Sequence, residues 1–408
     1  MARKGKSIFK KIIGWLHLWL GLGSGLVIVI ISITGCLFVF QKEFSDLKYK
    51  DVFFVADRET ETLPLGRLQE IAQKALGNNQ PVNYITVWKN PERAWEFMAY
   101  KENDTALTYF GAMENYRSVF LNPHTGHVTG IRNYKTDFFQ IMKYLHWSLL
   151  LNDKYGQPIV GWSTVIFVLM LITGLVLWWP GKWNRVTRKR SFSIQWKGKF
   201  KRKNYDLHNV LGFHFYISVL ILALTGLVFA FQWFQSLVYV AATGTAAAPE
   251  QPVVTSHRPD IYVHDPMTIS WHAAQRNNPD YVRMNISPAT GTDGVISIYS
   301  YTDEEIYYNY QEMDFDQYTG NLLKQQNWDQ KTRGEKLMGM NYDIHVGAIG
   351  GLTGKIIAFL ASLVCASLPI TGFYIWRNKK KKRAHIPYRV PDSMRKPVSE
   401  RSVSESTQ

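Results

Sequence analysis

Four histidines occupy matched places in the chain. His17 and His208 are 191 residues apart, and the same offset relates Gly21 to Gly212, Thr34 to Thr225 and Gln41 to Gln232. His146 stands 27 residues before Thr173, and His345 stands 26 residues before Thr371. Imidazole is the commonest metal-ligating side chain, and its neutral form ligates. Two imidazoles facing each other between helices suit a b-type haem, whose iron takes one axial nitrogen from each side. Two such sites are expected, an inner one from His17 with His208 and an outer one from His146 with His345. Gly21 and Gly212 lie four residues beyond their histidines on the same helix face, where a missing side chain lets a macrocycle approach the backbone. Gly347, Gly350 and Gly351 offer the same beside His345. His214 has no counterpart, since Gly23 holds the matching place; six residues beyond His208, it is an alternative or extra inner ligand.

A lone histidine at a membrane interface is more often a hydrogen-bonded or snorkelling residue. The pairing by repeat is what makes these four ligand candidates. The Thr-Gly dipeptides at 34–35, 173–174, 225–226 and 371–372 read as packing features without chemistry, because small residues let helices approach and threonine bonds to helix backbone. His124 and His127 share a turn, but the matching turn carries Tyr318 and Asn321, so a solvated turn is expected. His257, His264 and His272 read as surface or packing residues. Cys36 and Cys365 lie in apolar spans and form neither a disulfide framework nor a thiolate site. No catalytic residue declares itself: the chain has no phosphate-binding glycine loop, no G-x-S-x-G elbow and no H-E-x-x-H.

The elements that must position the histidines are membrane helices. Four apolar stretches, at 12–40, 158–179, 207–235 and 353–376, reach the roughly 20 residues that span a bilayer. The first follows a basic N-terminus but is longer than a secretory apolar region and has no cleavage site, so it reads as an uncleaved span. A mean hydropathy of −0.16 over 408 residues fits spans alternating with polar segments. Those segments, at 42–157 and 236–352, each open on a helical pattern (65–76 and 266–276) and continue in alternating, aromatic-rich strands (84–88, 94–100 and 118–121; 281–286, 295–301 and 306–311). Each carries a turn, 122–126 or 316–320, ending in Thr-Gly. The expected fold class is a membrane α-helical protein. Its four-helix transmembrane bundle is built from two parallel repeats, with two extracytoplasmic α+β domains at 42–145 and 236–340.

The net charge is +15. Lys and Arg crowd the N-terminus, the loop at 180–204 and the tail at 377–408, next to apolar spans; this is the signature of membrane orientation and argues against a nucleic-acid partner. The positive-inside rule puts both termini in the cytoplasm. The tail from 386 is polar and is expected to be disordered. The loop is too short for a nicotinamide or flavin domain, so an electron donor would be a separate soluble flavin, flavoprotein or membrane quinol. The loop would serve either to dock an acidic donor or to meet anionic lipid.

The layout resembles the PepSY-associated transmembrane family. The resemblance rests on Leu16-His17, Gly21 and Thr34-Gly35; Leu145-His146, Thr173-Gly174 and Trp178-Trp179-Pro180; Asp206-Leu207-His208, Gly212 and Thr225-Gly226; and Ile344-His345, Gly351-Leu352, Thr371-Gly372 and Trp376-Arg377. It covers nearly the whole chain except the loop and tail, and the two polar segments look like PepSY modules. It implies an iron-regulated protein of the bacterial inner membrane. Members of similar layout include di-haem reductases of ferric siderophores of the ferrioxamine type. Carried over, His17 and His208 would hold the inner haem and His146 and His345 the outer, while His214 departs from the pattern. A ferric siderophore would then be the substrate, and aromatic and basic residues of the outer surface would meet it. Two rivals remain: a non-redox membrane-anchored protein that binds peptides or restrains a protease, and a haem electron-transfer protein with another acceptor.

Overall fold

The computed structural model describes residues 7–56, 61–77, 80–245, 252–259 and 263–384. The expected tail from 386 and the basic residues Arg3, Lys4 and Lys6 lie outside them. Among the described residues three helices are long and apolar enough to cross a membrane: the first span (Ile8–Phe38), the second (Asp153–Trp178) and the fourth (Gly351–Ala384). Ser7 caps the first through the Lys10 N–H, and Asn152 caps the second through the Lys154 N–H, each satisfying a donor that a helix start leaves open.

The third span differs from the single helix expected at 207–235. Phe200–His214 and Tyr216–Ala230 meet at a bend of 67°. Within the first piece Leu207–Leu211 winds as a π turn, the kind of widened turn that recurs at functional sites. The helix ends at Phe231, whose extended backbone (φ −139°) starts a new helix, Gln232–Thr243. A small core of Ile28, Phe167, Leu171, Val219, Ala223, Ala361 and Cys365 joins these three helices and the bent pair.

The two polar segments do not fold as separate domains. Their strands are β1 (Tyr84–Trp88), β2 (Trp95–Glu102), β3 (Met113–Leu121) and β4 (Val128–Asn133), then β5 (Arg283–Ser287), β6 (Val295–Tyr301), β7 (Tyr310–Asp316) and β8 (Leu322–Gln326). They form one sheet in the order β4-β3-β2-β1-β5-β6-β7-β8. The first strands of the two halves pair antiparallel across its centre, with Thr86 opposite Asn285 and Val87 opposite Met284. Joining two edges removes the unpaired backbone groups each would otherwise expose.

Side chains alternate across the strands. Ile85, Val87, Phe97, Val119, Met284, Ile286, Ile298 and Phe315 face one way, under the helices Leu65–Leu76 and Pro266–Asn277. Trp95 of one half meets Trp271 of the other at 5.1 Å, so the halves share a single core. The opposite face is polar and aromatic, and its Thr86, Trp88 and Glu96 share a cavity with residues of the helix Gln41–Lys48. Two lead-in helices, Phe138–Ser148 and Arg333–His345, run from the sheet to the second and fourth spans. Asp137 caps the first of them and takes the Arg132 guanidinium at 2.7 Å. The buried Lys355 of the fourth span pairs with Glu43 at 2.7 Å and Glu305 at 2.8 Å, clamping both halves to the spans.

Candidate metal centres

His17 lies early in the first span and His208 lies in the π turn; their ring centres are 6.4 Å apart. His146 and His345 lie near the ends of the two lead-in helices, with ring centres 6.0 Å apart. A metal–imidazole bond is about 2.0–2.1 Å, so two trans imidazoles on one ion hold their ring centres roughly 6 Å apart. Both pairs have that spacing. Among the described residues no group of three or more His, Cys, Asp or Glu converges, so each pair offers two nitrogens and no third ligand.

Each imidazole is held by the far end of another helix of its own half. His17 Nδ1 lies 3.0 Å from Thr173 Oγ1, His208 Nδ1 2.9 Å from Thr371, His345 Nδ1 2.8 Å from Thr225 and His146 Nδ1 3.4 Å from Thr34. The four threonine hydroxyls donate to the carbonyls four residues back, so their oxygens accept from the rings. The rings also hydrogen-bond the carbonyl three residues before each threonine: Met170, Leu368, Leu222 and, at 2.6 Å, Ile31. A carbonyl only accepts, so Nδ1 carries the proton and Nε2 presents its lone pair. Fixing tautomer and orientation through the second nitrogen is what outer partners of metal-bound histidines do.

The glycine after each threonine leaves room for the ring. A Cβ on Gly35 would sit 3.1 Å from His146 Cε1, on Gly174 3.3 Å from His17 Cε1, on Gly372 3.3 Å from His208 Cε1 and on Gly226 3.6 Å from His345 Cε1. The Thr-Gly dipeptides, expected to be packing features without chemistry, are thus the cradles of the four histidines. The signal was present as one Thr-Gly for every paired histidine, but sequence does not say which cradle serves which ring.

The inner pair opens on a cavity of about 320 Å³ lined by Gly14, Gly21, Gly25, Gly174, Gly212 and Gly372. A flat macrocycle needs such a small-residue wall, and paired, Nε2-presenting imidazoles are the donor set haem iron takes. The residues fit the group. Gly21 and Gly212 line the cavity as expected. Gly347 serves the backbone instead. Its φ is +79°, and a Cβ there would strike the Gly354 carbonyl, so it permits a tight turn between lead-in helix and fourth span. From His17 to Thr34 the first span rises 17 residues, about 26 Å at 1.5 Å per residue, so the pairs lie toward opposite ends of the spans.

His214 stands outside both pairs. It is exposed, its Nδ1–H donates to the Val210 carbonyl at 2.8 Å, and it packs beside Phe192 and Phe213. His124 is buried with its ring nitrogens 2.6 Å and 3.1 Å from the carbonyls of Glu61 and Pro91, whereas His127 is exposed. The two do not converge on a shared site.

These features define a helical membrane protein with a pair of cradled histidines toward each end of its spans. The chain belongs to the PepSY-associated TM region family, which it matches over residues 14–379. The comparison with curated proteins finds no match.

Proposed function

We propose that this protein is a di-haem b oxidoreductase of the bacterial inner membrane that reduces a ferric siderophore and so releases its iron. In this reading the spans form a four-helix bundle of two parallel repeats. The sheet, two PepSY-like units, lies outside, and both termini lie in the cytoplasm. His17 and His208 would hold the inner haem, and His146 and His345 the outer. When bound, haem supplies reversible one-electron transfer. The threonines would keep each Nδ1 protonated and each Nε2 free to hold haem iron, and the apolar residues lining the inner cavity would exclude water. A reduced flavin, flavoprotein or quinol would give one electron on the cytoplasmic side, and the chelate's Fe(III) would accept one on the outer side to become Fe(II). A hard-oxygen chelate holds Fe(II) less tightly than Fe(III), which frees the metal.

One observation carries the reading: two imidazole pairs at ligation spacing, both tautomer-locked, near opposite ends of membrane spans. Protein purified from haem-replete cells should show a b-type spectrum with two haems per chain. His146→Ala and His345→Ala should each remove one. A colourless, folded preparation would leave the peptide-binding or protease-restraining reading instead. Two haems without reoxidation by any ferric siderophore in stopped flow would point to another acceptor.

A further inference from the structure

The cavity beside His17 and His208 is apolar along most of its wall but carries two cations, Lys10 and Lys379, and among the described residues no carboxylate lines it. Helix periodicity sets both cations at one level. Lys10 stands seven residues before His17 on the first span. Lys379 stands seven residues after Gly372 on the fourth span, and Gly372 is the glycine that makes room for His208. Seven residues are about two turns, so each lysine shares a helix face with the residue at the imidazole and lies about 10 Å from it along the axis. The two spans run antiparallel, with Phe40 against Phe359 and Gly25 against Pro369. Both lysines therefore lie beyond the imidazoles at the same end of the cavity.

Lys10 gives one donor to the Trp179 carbonyl at 2.8 Å, and an ammonium has three. Lys201 repeats Lys10 at the 191-residue offset but is not part of the cavity wall. Both cations thus stand on the first and fourth spans, and the cavity loses the two-fold equivalence that its histidines keep.

We propose that Lys10 and Lys379 bind the two carboxylates of the haem held between His17 and His208, and so fix which edge of the ring faces the basic end of the spans. The inference rests on the haem reading above. A b-type haem is a flat apolar ring with two propionate carboxylates on one edge. The glycines of the wall suit the ring, and two ammonium groups at one end suit the edge, each as a point charge with its own donors. No acid of the wall competes for them.

The test compares protohaem with its dimethyl ester, which keeps the ring and iron but not the negative charges. Full-length protein carrying His146→Ala and His345→Ala, purified in detergent from haem-deficient cells, confines loading to the inner pair. In absorbance titrations protohaem should bind about tenfold more tightly than the ester. Lys10→Gln and Lys379→Gln should each narrow that preference and together remove it, with the ester's affinity unchanged; arginine at both positions should keep it. In holoprotein from haem-replete cells, the double glutamine variant should lose half of its haem to excess apomyoglobin about tenfold faster. Equal affinity for the two haems, a preference that survives the double glutamine change, or unaltered haem loss would overturn the proposal and leave the haem reading standing. Equal weakening of both haems in the variant would assign the lysines to the fold and overturn it too. A protein that takes up neither haem would overturn both.

Discussion

Replacing Thr225 by valine isolates the role of the cradles. The change removes the hydroxyl oxygen 2.8 Å from His345 Nδ1 and leaves the Leu222 carbonyl as the other acceptor. Because the ring N–H keeps a backbone partner, the cost to the fold should stay near one net hydrogen bond, about 0.5–1.5 kcal/mol. The cost to the outer site is larger. Loss of the outer partner of a ligating histidine typically weakens metal binding about 10–100-fold, equal to about 1.4–2.7 kcal/mol. With haem bound as proposed, its transfer from purified protein to excess apomyoglobin measures this directly. In Thr225→Val, half of the haem should leave about 10–100-fold faster and half at the wild-type rate, because the inner pair is held by Thr173 and Thr371. Thr225→Ser keeps the hydroxyl and should resemble the wild type. A wild-type rate in the valine variant would refute the hydroxyl's role. Equal loss in the serine and valine variants would show that methyl packing, not the hydrogen bond, holds the ring.

Three further outcomes follow from the geometry. A Cβ on Gly35 would lie 3.1 Å from His146 Cε1 but one on Gly226 would lie 3.6 Å from His345 Cε1, an ordinary contact. Gly35→Ala should therefore lower haem content at the outer site while Gly226→Ala leaves it near wild type, read by haem-to-protein ratio. Burial raises the Glu96 pKa, so its ionisation opposes folding once pH exceeds the ordinary glutamate range near about 4.3. Glu96→Gln should match the wild-type Tm at low pH and exceed it increasingly as pH rises, by thermal melts across a pH series. Burial alone would raise the Asp316 pKa, but the N–H groups of Tyr318, Thr319 and His257 outweigh it and the net shift is downward. Its contribution is then present above the unfolded value of about 3.9 and lost as pH falls through the folded one. Asp316→Ala should cost about 1.5–3 kcal/mol near neutrality and flatten the acid limb of the melt, by chemical denaturation at several pH values.

Much of the site could be read before folding. The spans announce themselves by length and hydropathy, and the pairing of His17 with His208 and of His146 with His345 follows from the internal repeat. The purpose of Thr-Gly could not be read the same way. Thr173 touches His17 from 156 residues away, and only helix packing makes that contact. His214, six residues beyond His208, read as an alternative or extra inner ligand, yet the winding around Leu207–Leu211 and the bend beyond leave it facing out.

The sequence by itself determined what lipid and the repeat impose: apolar spans, the polar segments between them, and histidines at matched heights. Those constraints are local, since a span must satisfy its own backbone whatever surrounds it. Tertiary structure alone decided that two sheet edges fuse through β1 and β5 and that each half cradles its own imidazoles. Those outcomes depend on which surfaces meet across distances of a hundred residues or more. There, unpaired strand edges, ring N–H groups and buried charge are satisfied, or left open, only by the partner that packing supplies.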